Sequence, residues 1–236
     1  MPGISIIIPT LNEAAVILHT LNPLQIMRGK GHEIILADGG STDDTVELSI
    51  LLVDQVLVTR AGRAYQMNAG AGKAGGEVLV FLHADTRLPD NSAELITTGL
   101  ADSRRHWGRF DVKLSGPHPS LRLVERLMNL RSRLTHIATG DQALFVQRDL
   151  FASLGGFPEI PLMEDIAFSK RLKRTGPPLC LRETVVTSSR RWEEQGILRT
   201  IALMWRLRLA YFLGASPVRL AQRYGYRAAC TPRTPD

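Results

Sequence analysis

Short, almost continuous runs of hydrophobic residues alternate with helix-like periodic segments along the first 90 or so residues. Continuous apolar runs are typical of strands buried on both faces, and apolar residues spaced three or four apart are typical of amphipathic helices. The order predicts an α/β domain whose central sheet is mostly parallel and covered by helices on both faces. Strands are predicted at residues 4–8, 33–37, 55–59 and 77–82. A first helix is predicted after Asn12, which would cap it, a second is predicted to be opened by residues 42–44, and a third is predicted at 63–74.

After residue 90 the alternation becomes less regular. Because no linker rich in Pro, Gly or Ser separates a second domain, the second half is predicted to extend the same sheet. Further strands are predicted at residues 107–114, 143–146 and 180–187, a basic amphipathic helix at 121–134, a loop at 158–161, and helices at 166–174 and 197–213.

Composition and charge narrow the class of protein only moderately. The 236 residues are 44% hydrophobic and 22% charged, which is ordinary for a globular protein. A net charge of +6 suits a phosphate ligand, an anionic membrane surface or nucleic acid, without selecting one. The two cysteines, Cys180 and Cys230, have no CxxC spacing, so neither a structural zinc site nor a disulfide framework is indicated.

The amino terminus lacks the basic region of a signal peptide, and residues 4–8 are predicted to be a first strand. The longest apolar stretch, residues 201–213, is interrupted by two arginines and is too short to span a bilayer. We therefore expect a cytoplasmic location.

Polar residues follow each of the first four predicted strands. In an open parallel sheet, ligands bind beyond the carboxyl ends of the strands. Taken singly, Asn12 could be only a helix cap, Asp38 only a turn residue, and Arg63 only a solvated charge. Four clusters on one edge of the sheet favour a binding site. The residues in question are Thr10, Asn12, Glu13, Asp38, Arg60, Arg63, His83 and Asp85.

Two familiar nucleotide-binding sequences are absent. No GxGxxG follows the first strand, which argues against a dinucleotide dehydrogenase. The Gly-Ala-Gly-Lys run at residues 70–73 lacks the Ser or Thr of a phosphate loop and precedes a strand instead of following one.

Two further pairs of residues point to chemistry. His83 and Asp85 lie two residues apart at a strand end, so both side chains should point to one side and could ligate a divalent ion that bridges two phosphates. The alternative is an aspartate satisfied by backbone amides. Glu164 and Asp165 begin a helix after a Pro-bounded loop, where a carboxylate could act as a general base or only cap the helix.

Taken together, these residues resemble the family 2 glycosyltransferases of the GT-A fold. The matching stretches occur in the family's order between residue 4 and about residue 192, and the His-Ala-Asp version resembles a bacterial subgroup. They are SIIIPTLNE at 5–13, ADGGSTD at 37–43, RAYQMNAG at 63–70, FLHADT at 81–86, GGF at 155–157, MED at 163–165 and RRW at 190–192.

The resemblance implies a GT-A, Rossmann-like fold in a single domain over residues 1–227. Residues 1–90 would form the nucleotide-binding half, 91–195 the acceptor half and 196–227 a C-terminal helical segment, with 228–236 as a loose tail.

The resemblance also implies roles for individual residues. Nucleotide-sugar binding would fall to Pro9, Thr10, Asn12, Glu13, Asp38, Arg63, Asn68, His83 and Asp85. Asp165, with Glu164 beside it, would be catalytic, and Asp165 would deprotonate the acceptor. Asp85 and His83 would hold Mn²⁺ or Mg²⁺, and Arg191 and Trp192 would line the acceptor or diphosphate side. The sequence departs from the family at His83, where an aspartate is usual, and at Ser188, where a glutamine is usual.

We therefore predict an inverting transferase that uses a nucleoside diphosphate sugar, with UDP favoured over GDP, and an unidentified hydroxyl acceptor for which a lipid-linked molecule is one option. We expect no nucleic-acid partner. One alternative is a nucleotidyltransferase that makes nucleotide sugars, although the chain lacks the Gly-rich loop such enzymes carry after the first strand. Another is a non-catalytic nucleotide-binding module.

The last predicted helix, residues 197–213, mixes large apolar residues with three arginines. It is interpreted either as a helix that packs in the core or in a homo-oligomer, or as an interfacial helix that holds the protein at the inner face of the membrane.

Overall fold

An eight-stranded mixed sheet forms the centre of the structure, a computed structural model that describes residues 3–225. The strands are β1 (Ile4–Thr10), β2 (Glu33–Asp38), β3 (Gln55–Val58), β4 (Val78–Phe81), β5 (Thr86–Arg87), β6 (Trp107–Leu114), β7 (Phe145–Gln147) and β8 (Leu179–Thr187). The helices are α1 (Ile17–Arg28), α2 (Thr45–Ser49), α3 (Arg63–Lys73), α4 (Ser92–Ser103), α5 (Pro119–Thr135), α6 (Arg148–Ser153), α7 (Glu164–Leu172), α8 (Arg190–Gln195), α9 (Ile197–Phe212) and α10 (Pro217–Tyr224). A 3₁₀ turn at Gly140–Gln142 precedes β7.

The strand order is β3-β2-β1-β4-β7-β6-β8-β5. The first four strands pair in parallel, and β6 pairs in parallel with β8. The pairs β4–β7, β6–β7 and β5–β8 are antiparallel. The predicted mostly parallel α/β sheet is confirmed, and the second half of the chain does extend the same sheet.

Alternating side chains of β1 enter two separate cores, one on each face of the sheet. Ile6 and Ile8 pack with α1, while Ile7 packs with α3 on the other face. Both faces are therefore covered, which is why the sequence of β1 is almost uninterrupted in apolar residues.

Four phenylalanine rings connect the second face to the segment before α7. Phe81 and Phe157 lie 4.8 Å apart between ring centroids, and Phe157 and Phe168 lie 4.6 Å apart. Phe151 contacts all three of these rings. Edge-to-face and tilted pairs of this kind contribute beyond the area they bury. The cluster fixes the loop that leads to the Glu164–Asp165 pair.

The last helices close one side of the molecule. Leu207 of α9 and Leu220 of α10 share a small core with Met163 and Ile166. No helix within residues 3–225 has the length and hydrophobicity needed to cross a membrane. The predicted tail at 228–236 lies outside the described residues.

Three helix starts differ from their predicted positions. Asn12 is not a cap, because α1 begins at Ile17 with Val16 before it. The helix after residues 42–44 begins only at Thr45 and is five residues long. The helix predicted from residue 166 begins at Glu164. Helices α4, α6, α8 and α10 and the two-residue β5 were not predicted.

Gly108 in β6 is a test of how tightly this sheet is packed. A Cβ there would lie 2.3 Å from the carbonyl oxygen of Leu179 and 2.5 Å from the ring of Phe145. We expect Gly108→Ala to lower the free energy of unfolding by about 1–3 kcal/mol, because a backbone atom cannot move aside cheaply. Urea denaturation measures this. Gly72→Ala is the control, since Gly72 is exposed on α3 with open space around its Cα, and it should cost nothing or add up to about 1 kcal/mol. Equal effects of the two substitutions would contradict the prediction.

Candidate active site

Two loops at the carboxyl edge of the sheet are tied together through Asn12. This residue has a left-handed backbone with φ of 55°. Its side-chain oxygen accepts a hydrogen bond from the N–H of Thr42 at 2.8 Å, and its own N–H donates to the Ser41 hydroxyl at 2.8 Å. The amide therefore joins the β1 and β2 loops instead of capping α1, and asparagine is a residue type that tolerates this backbone conformation.

Asp38 is buried at the end of β2, and four donors of the protein satisfy its carboxylate. They are the N–H groups of Gly40 and Ser41 and the hydroxyls of Thr10 and Ser41. Thr10 is likewise buried. The structure thus places Asp38 and Thr10 beneath the loops, and the bonds from Gly40 and Ser41 are those of a turn residue.

The edge of the sheet carries a cleft made of two adjoining pockets. The sheet-edge pocket is lined by Pro9, Glu13, Arg63, His83, Ala84, Asp85, Leu114, Asp141, Thr187, Ser188, Arg191, Trp192, Thr200, Met204 and Tyr224. The α7 pocket is lined by Arg63, His83, Thr139, Gly140, Asp141, Leu162, Met163, Glu164, Asp165, Ile166, Met204, Arg208 and Tyr224. The two share five residues, so most of the predicted site residues meet in one cleft.

Glu13 and Asp85 bring two carboxylates into the sheet-edge pocket. Burial raises the pKa of Glu13, and the negative charge of Asp85 raises it further. The Asp85 carboxylate accepts from the hydroxyls of Thr86 at 3.3 Å and Thr187 at 3.5 Å. Because both hydrogen bonds are long, the carboxylate can still bind a ligand on the side that faces the pocket.

His83 is a neutral imidazole at physiological pH. Burial, and then the charge of Arg63, lower its pKa to about 4. Its ring lies against Gly140, where a Cβ would come within 2.2 Å of Nε2. Its Nδ1 lies 3.6 Å from the Asp141 carboxylate. His83 lies in the loop after β4, so strand alternation does not orient it, yet it still faces the same pocket as Asp85.

Asp165 is held by a backbone amide from another segment. Its Oδ2 accepts from the N–H of Gly140 at 2.9 Å, and its Oδ1 accepts from the N–H of Ile166 at 2.7 Å. The position before α7 is occupied by Met163, with φ of 71°, so Asp165 is not the helix cap. A carboxylate in the first turn of a helix is favoured by the helix dipole.

Glu164 is more deeply buried than Asp165. Its Oε1 lies 4.0 Å from Nη1 of Arg63. Burial, and then the charge of Asp165, raise the pKa of Glu164 to about 7, although Arg63 acts in the opposite direction. Of the two carboxylates, Asp165 is the less enclosed, because its side chain is only half-buried.

Arg191 and Trp192 also line the sheet-edge pocket. The guanidinium of Arg191 stacks on the ring of Tyr224 at 3.7 Å and donates to the Tyr224 carbonyl at 3.1 Å. The stacking attaches α10 to the wall of the cleft and orients this cation.

Asn68 does not line either pocket. Its amide donates to the Phe157 carbonyl at 2.9 Å and accepts from the Phe157 N–H at 2.9 Å. These two bonds hold the loop before α7. Both polar groups of the amide thus hydrogen-bond the backbone of Phe157, and a role of Asn68 at the nucleotide stays a prediction.

Several lining residues were not predicted from the sequence, among them Gly140, Asp141, Met204, Arg208 and Tyr224. The Thr-Gly-Asp-Gln run at residues 139–142 was the available signal, since a glycine followed by an aspartate after a helix is typical of a turn. The residues from α9 and α10 carried no local signal because only the tertiary fold brings them to the cleft.

The side chains that line the cleft supply some, but not all, of the ligands that a divalent cation needs. Asp85 supplies carboxylate oxygens and neutral His83 supplies a ring nitrogen, and the mutual repulsion of Glu13 and Asp85 would be relieved by a positive charge. Within residues 3–225, no cluster of three or more acidic, histidine or cysteine side chains forms a complete metal site. This matches ions that are held by one or two carboxylates together with substrate phosphates.

The chain is similar to known proteins both in family and in fold. The family described as Glycosyl transferase family 2 matches residues 5–150. A PGL/p-HBAD biosynthesis glycosyltransferase of Mycobacterium tuberculosis is 38% identical over 94 residues, as is its Mycobacterium bovis counterpart. Each match covers 37% of this chain and 37% of the relative, so the chain corresponds to little more than a third of these proteins.

Solved structures share the fold at low sequence identity. Residues 1–349 of TarS from S. aureus in complex with UDP match with a TM-score of 0.66 and 19% identity, over 79% of this chain and 60% of that one. The mannosyltransferase PcManGT from Pyrobaculum calidifontis, in complex with GDP-Man and Mn²⁺, matches with a TM-score of 0.65 and 22% identity, over 95% and 69%.

The buried Glu164 predicts a pH-dependent stability. Because its pKa of about 7 in the folded protein exceeds the ordinary value of 4.5, the proton it holds stabilises the fold at low pH. This contribution is lost as the pH rises from about 4.5 through about 7, and it amounts to on the order of 3 kcal/mol. We expect the free energy of unfolding of the wild type to fall across this window relative to Glu164→Gln. Urea denaturation at a series of pH values measures the difference.

Glu159→Gln is the matched control, since Glu159 is exposed and pairs only with exposed Arg60. Its profile should run parallel to that of the wild type. Parallel profiles for the wild type and Glu164→Gln would show that Glu164 is ionised in the folded protein and would contradict the prediction.

Proposed function

The chain belongs to glycosyltransferase family 2 and is a glycosyltransferase with the GT-A fold; from this membership we propose that it transfers a sugar, with inversion, from a nucleoside diphosphate sugar to a hydroxyl acceptor. The observation that carries the proposal is the single cleft that joins Glu13, Arg63 and Asp85 at the sheet edge to Asp165 at α7.

The sheet-edge pocket is the proposed donor site. It lies beyond the carboxyl ends of parallel strands, where nucleotides bind in open α/β sheets. The loops held by Asn12 and Asp38 would bound the base and ribose, and Asp38 would act by shaping its loop. Arg63 and Arg191 supply positive charge to the pocket and would face the diphosphate.

The α7 pocket is the proposed site of acceptor activation. Asp165 would take the proton of the acceptor hydroxyl as its oxygen attacks the anomeric carbon from the face opposite the diphosphate. The new bond joins the acceptor oxygen to the anomeric carbon, and the bond from that carbon to the phosphate oxygen breaks. The nucleoside diphosphate leaves with the electron pair, and the proton stays on Asp165 until solvent removes it.

A divalent cation is the proposed cofactor, with Asp85 as its principal protein ligand and His83 in a secondary role. When bound, such an ion would neutralise charge on the leaving diphosphate. Hard ions such as Mg²⁺ prefer carboxylate and phosphate oxygens, which favours Asp85, whereas an imidazole makes Mn²⁺ relatively more acceptable.

UDP is the proposed nucleotide of the donor, in preference to GDP. TarS is described with UDP and PcManGT with GDP-Man, so the fold accommodates both bases. The experiment that tests the donor site is a thermal-shift panel of UDP, GDP, ADP and CDP with and without Mn²⁺ or Mg²⁺. A nucleotide at 100 times its Kd should add about 2.7 kcal/mol of stability. If none of the four nucleotides stabilises the protein with either ion, the proposed donor site is wrong.

Asp165→Asn should abolish transfer while preserving the binding of nucleotide. Asparagine still accepts the Gly140 N–H but cannot take a proton, and loss of general-base help costs about 10²–10⁴-fold in rate. Hydrolysis of the donor sugar gives the rate without a known acceptor, and nucleotide affinity is measured by calorimetry. Asp102→Asn, on the exposed surface of α4, is the control and should keep the full rate. Near-normal turnover of a folded Asp165→Asn would remove Asp165 from the catalytic role.

Asp85→Ala should remove the effect of Mn²⁺ on nucleotide affinity, and His83→Ala should only reduce it. The reason is that the carboxylate is the preferred ligand of both candidate ions. Calorimetric titration of UDP into each variant, with and without Mn²⁺, makes the comparison. The assignment of the two roles is reversed if His83→Ala loses the metal effect and Asp85→Ala keeps it.

A further inference from the structure

Two neighbouring helices present exposed apolar stripes that the fold does not use. On α5, the stripe consists of Leu123, Leu127, Leu130 and Leu134. On α9, it consists of Leu198, Trp205, Leu209 and Phe212. The spacing within each set places its members on one face of its helix. All eight side chains are between 50% and 81% exposed, which is far more than the scattered apolar residues that are normal on a protein surface.

The two helices lie near each other at both ends and run in the same direction. Near their amino-terminal ends, Leu121 and Val124 of α5 share a core with Ile197 and Ile201 of α9. Near their carboxyl-terminal ends, Arg131 of α5 is close enough to Arg208 of α9 for their charges to interact. The buried positions of each helix lie opposite its stripe, so both stripes point away from the body of the protein. We refer to the two stripes together as the α5–α9 face.

The charge around the α5–α9 face has one sign. Helices α5, α9 and α10 contain nine arginines, and their single acidic residue, Glu125, is buried. Five of the arginines are exposed, namely Arg126, Arg199, Arg206, Arg219 and Arg223. The nearest exposed acids along the chain, Glu193 and Glu194, lie in α8 ahead of the stripe.

We propose that the α5–α9 face binds an anionic membrane surface, with the leucines, Trp205 and Phe212 entering the lipid interface and the arginines contacting acidic headgroups. An apolar stripe flanked by arginines, with aromatic residues at its edge, is the composition that binds anionic interfaces. A second copy of the chain fits less well, because pairing the face with itself would bring two sets of exposed arginines together without an acidic partner.

The position of the face relates it to the cleft. Met204 and Arg208, on another side of α9, line the α7 pocket. A membrane bound at the α5–α9 face would therefore lie next to the place where Asp165 meets its acceptor. This last step rests on the proposed function and favours an acceptor that is anchored in lipid, whereas the binding of membrane itself does not depend on it.

Co-sedimentation with vesicles tests the proposal on the full chain. The vesicles are phosphatidylcholine alone, or phosphatidylcholine and phosphatidylglycerol in equal amounts, at low and at high salt. We expect binding to the anionic vesicles that weakens at high salt, and little binding to the neutral ones. Trp205 is the most exposed of the three tryptophans and gives a second readout, because its fluorescence should shift to shorter wavelength on binding.

Substitutions separate the contributions of the apolar residues and of the arginines to vesicle binding. The double substitution Leu209→Gln with Phe212→Gln should weaken binding at least about tenfold, and so should Leu127→Gln with Leu134→Gln on α5. Arg199→Gln with Arg206→Gln should reduce both the affinity and its salt dependence. Leu51→Gln is the matched control, because Leu51 is 85% exposed in the loop after α2 and should leave binding unchanged.

The outcomes separate this proposal from its rivals and from the proposed catalytic function. Absence of binding at low salt, or equal binding by the wild type and the Leu209–Phe212 variant, overturns it. A dimer in sedimentation that the same variant dissociates, without vesicle binding, assigns the face to a second copy instead. Thermal stabilisation by UDP is measured on every preparation. Since none of the substituted residues lines the cleft, loss of vesicle binding with an unchanged UDP effect concerns the surface alone.

Discussion

The hydrogen bond from the Gly140 N–H to the Asp165 carboxylate joins the two halves of the candidate site. Gly140 lies in the turn before β7, Asp165 lies in the first turn of α7, and the ring of His83 from the β4 loop packs directly on Gly140. Only a residue without a Cβ leaves room for that ring. The proposed base and the proposed metal-binding loop therefore keep a fixed relation through one glycine, and a charged acceptor for the N–H makes the bond stronger than an ordinary amide pair.

The surrounding charges show why several ionisable groups can be half-buried in one cleft. Carboxylates at Glu13, Asp85 and Asp165 face the same cleft as the arginines at positions 63 and 191. Isolated buried charges are costly, but mixed signs in one cleft reduce that cost and prepare the site for a phosphate and a cation together. Where the balance is weakest, at Glu164, the group takes up a proton more readily instead of remaining ionised.

Much of the sheet could be predicted from the sequence because buried parallel strands have a strong local signature. Strand β6 was predicted with its observed bounds, and α3 and α9 to within one residue at their ends. Helices α4 and α6 were missed because their apolar positions are few and the tertiary contacts of the sheet stabilise them. Asn12 was misread because a polar residue after a strand is equally suited to a cap or to bridging loops, and its neighbour in the β2 loop is distant in sequence.

The residues of the candidate site could be predicted from the sequence only in part, for a related reason. Residues directly after strands, such as Glu13 and Asp85, reach the cleft because the sheet itself brings strand ends together. Asn68 was grouped with these residues because of its position in the RAYQMNAG stretch, but its amide hydrogen-bonds the backbone of Phe157. The lining residues from α9 and α10 are distant in sequence from the others, and no local sequence pattern indicates that they reach the cleft.

The stacking of Arg191 on Tyr224 has a practical consequence for work with this protein. Helix α10 forms part of the wall of the cleft, so the carboxyl-terminal side of the chain is a poor place for an affinity tag or a fusion partner. Strand β1 starts at the opposite edge of the sheet from the cleft, which makes the amino-terminal side the better attachment point for immobilising or labelling the protein.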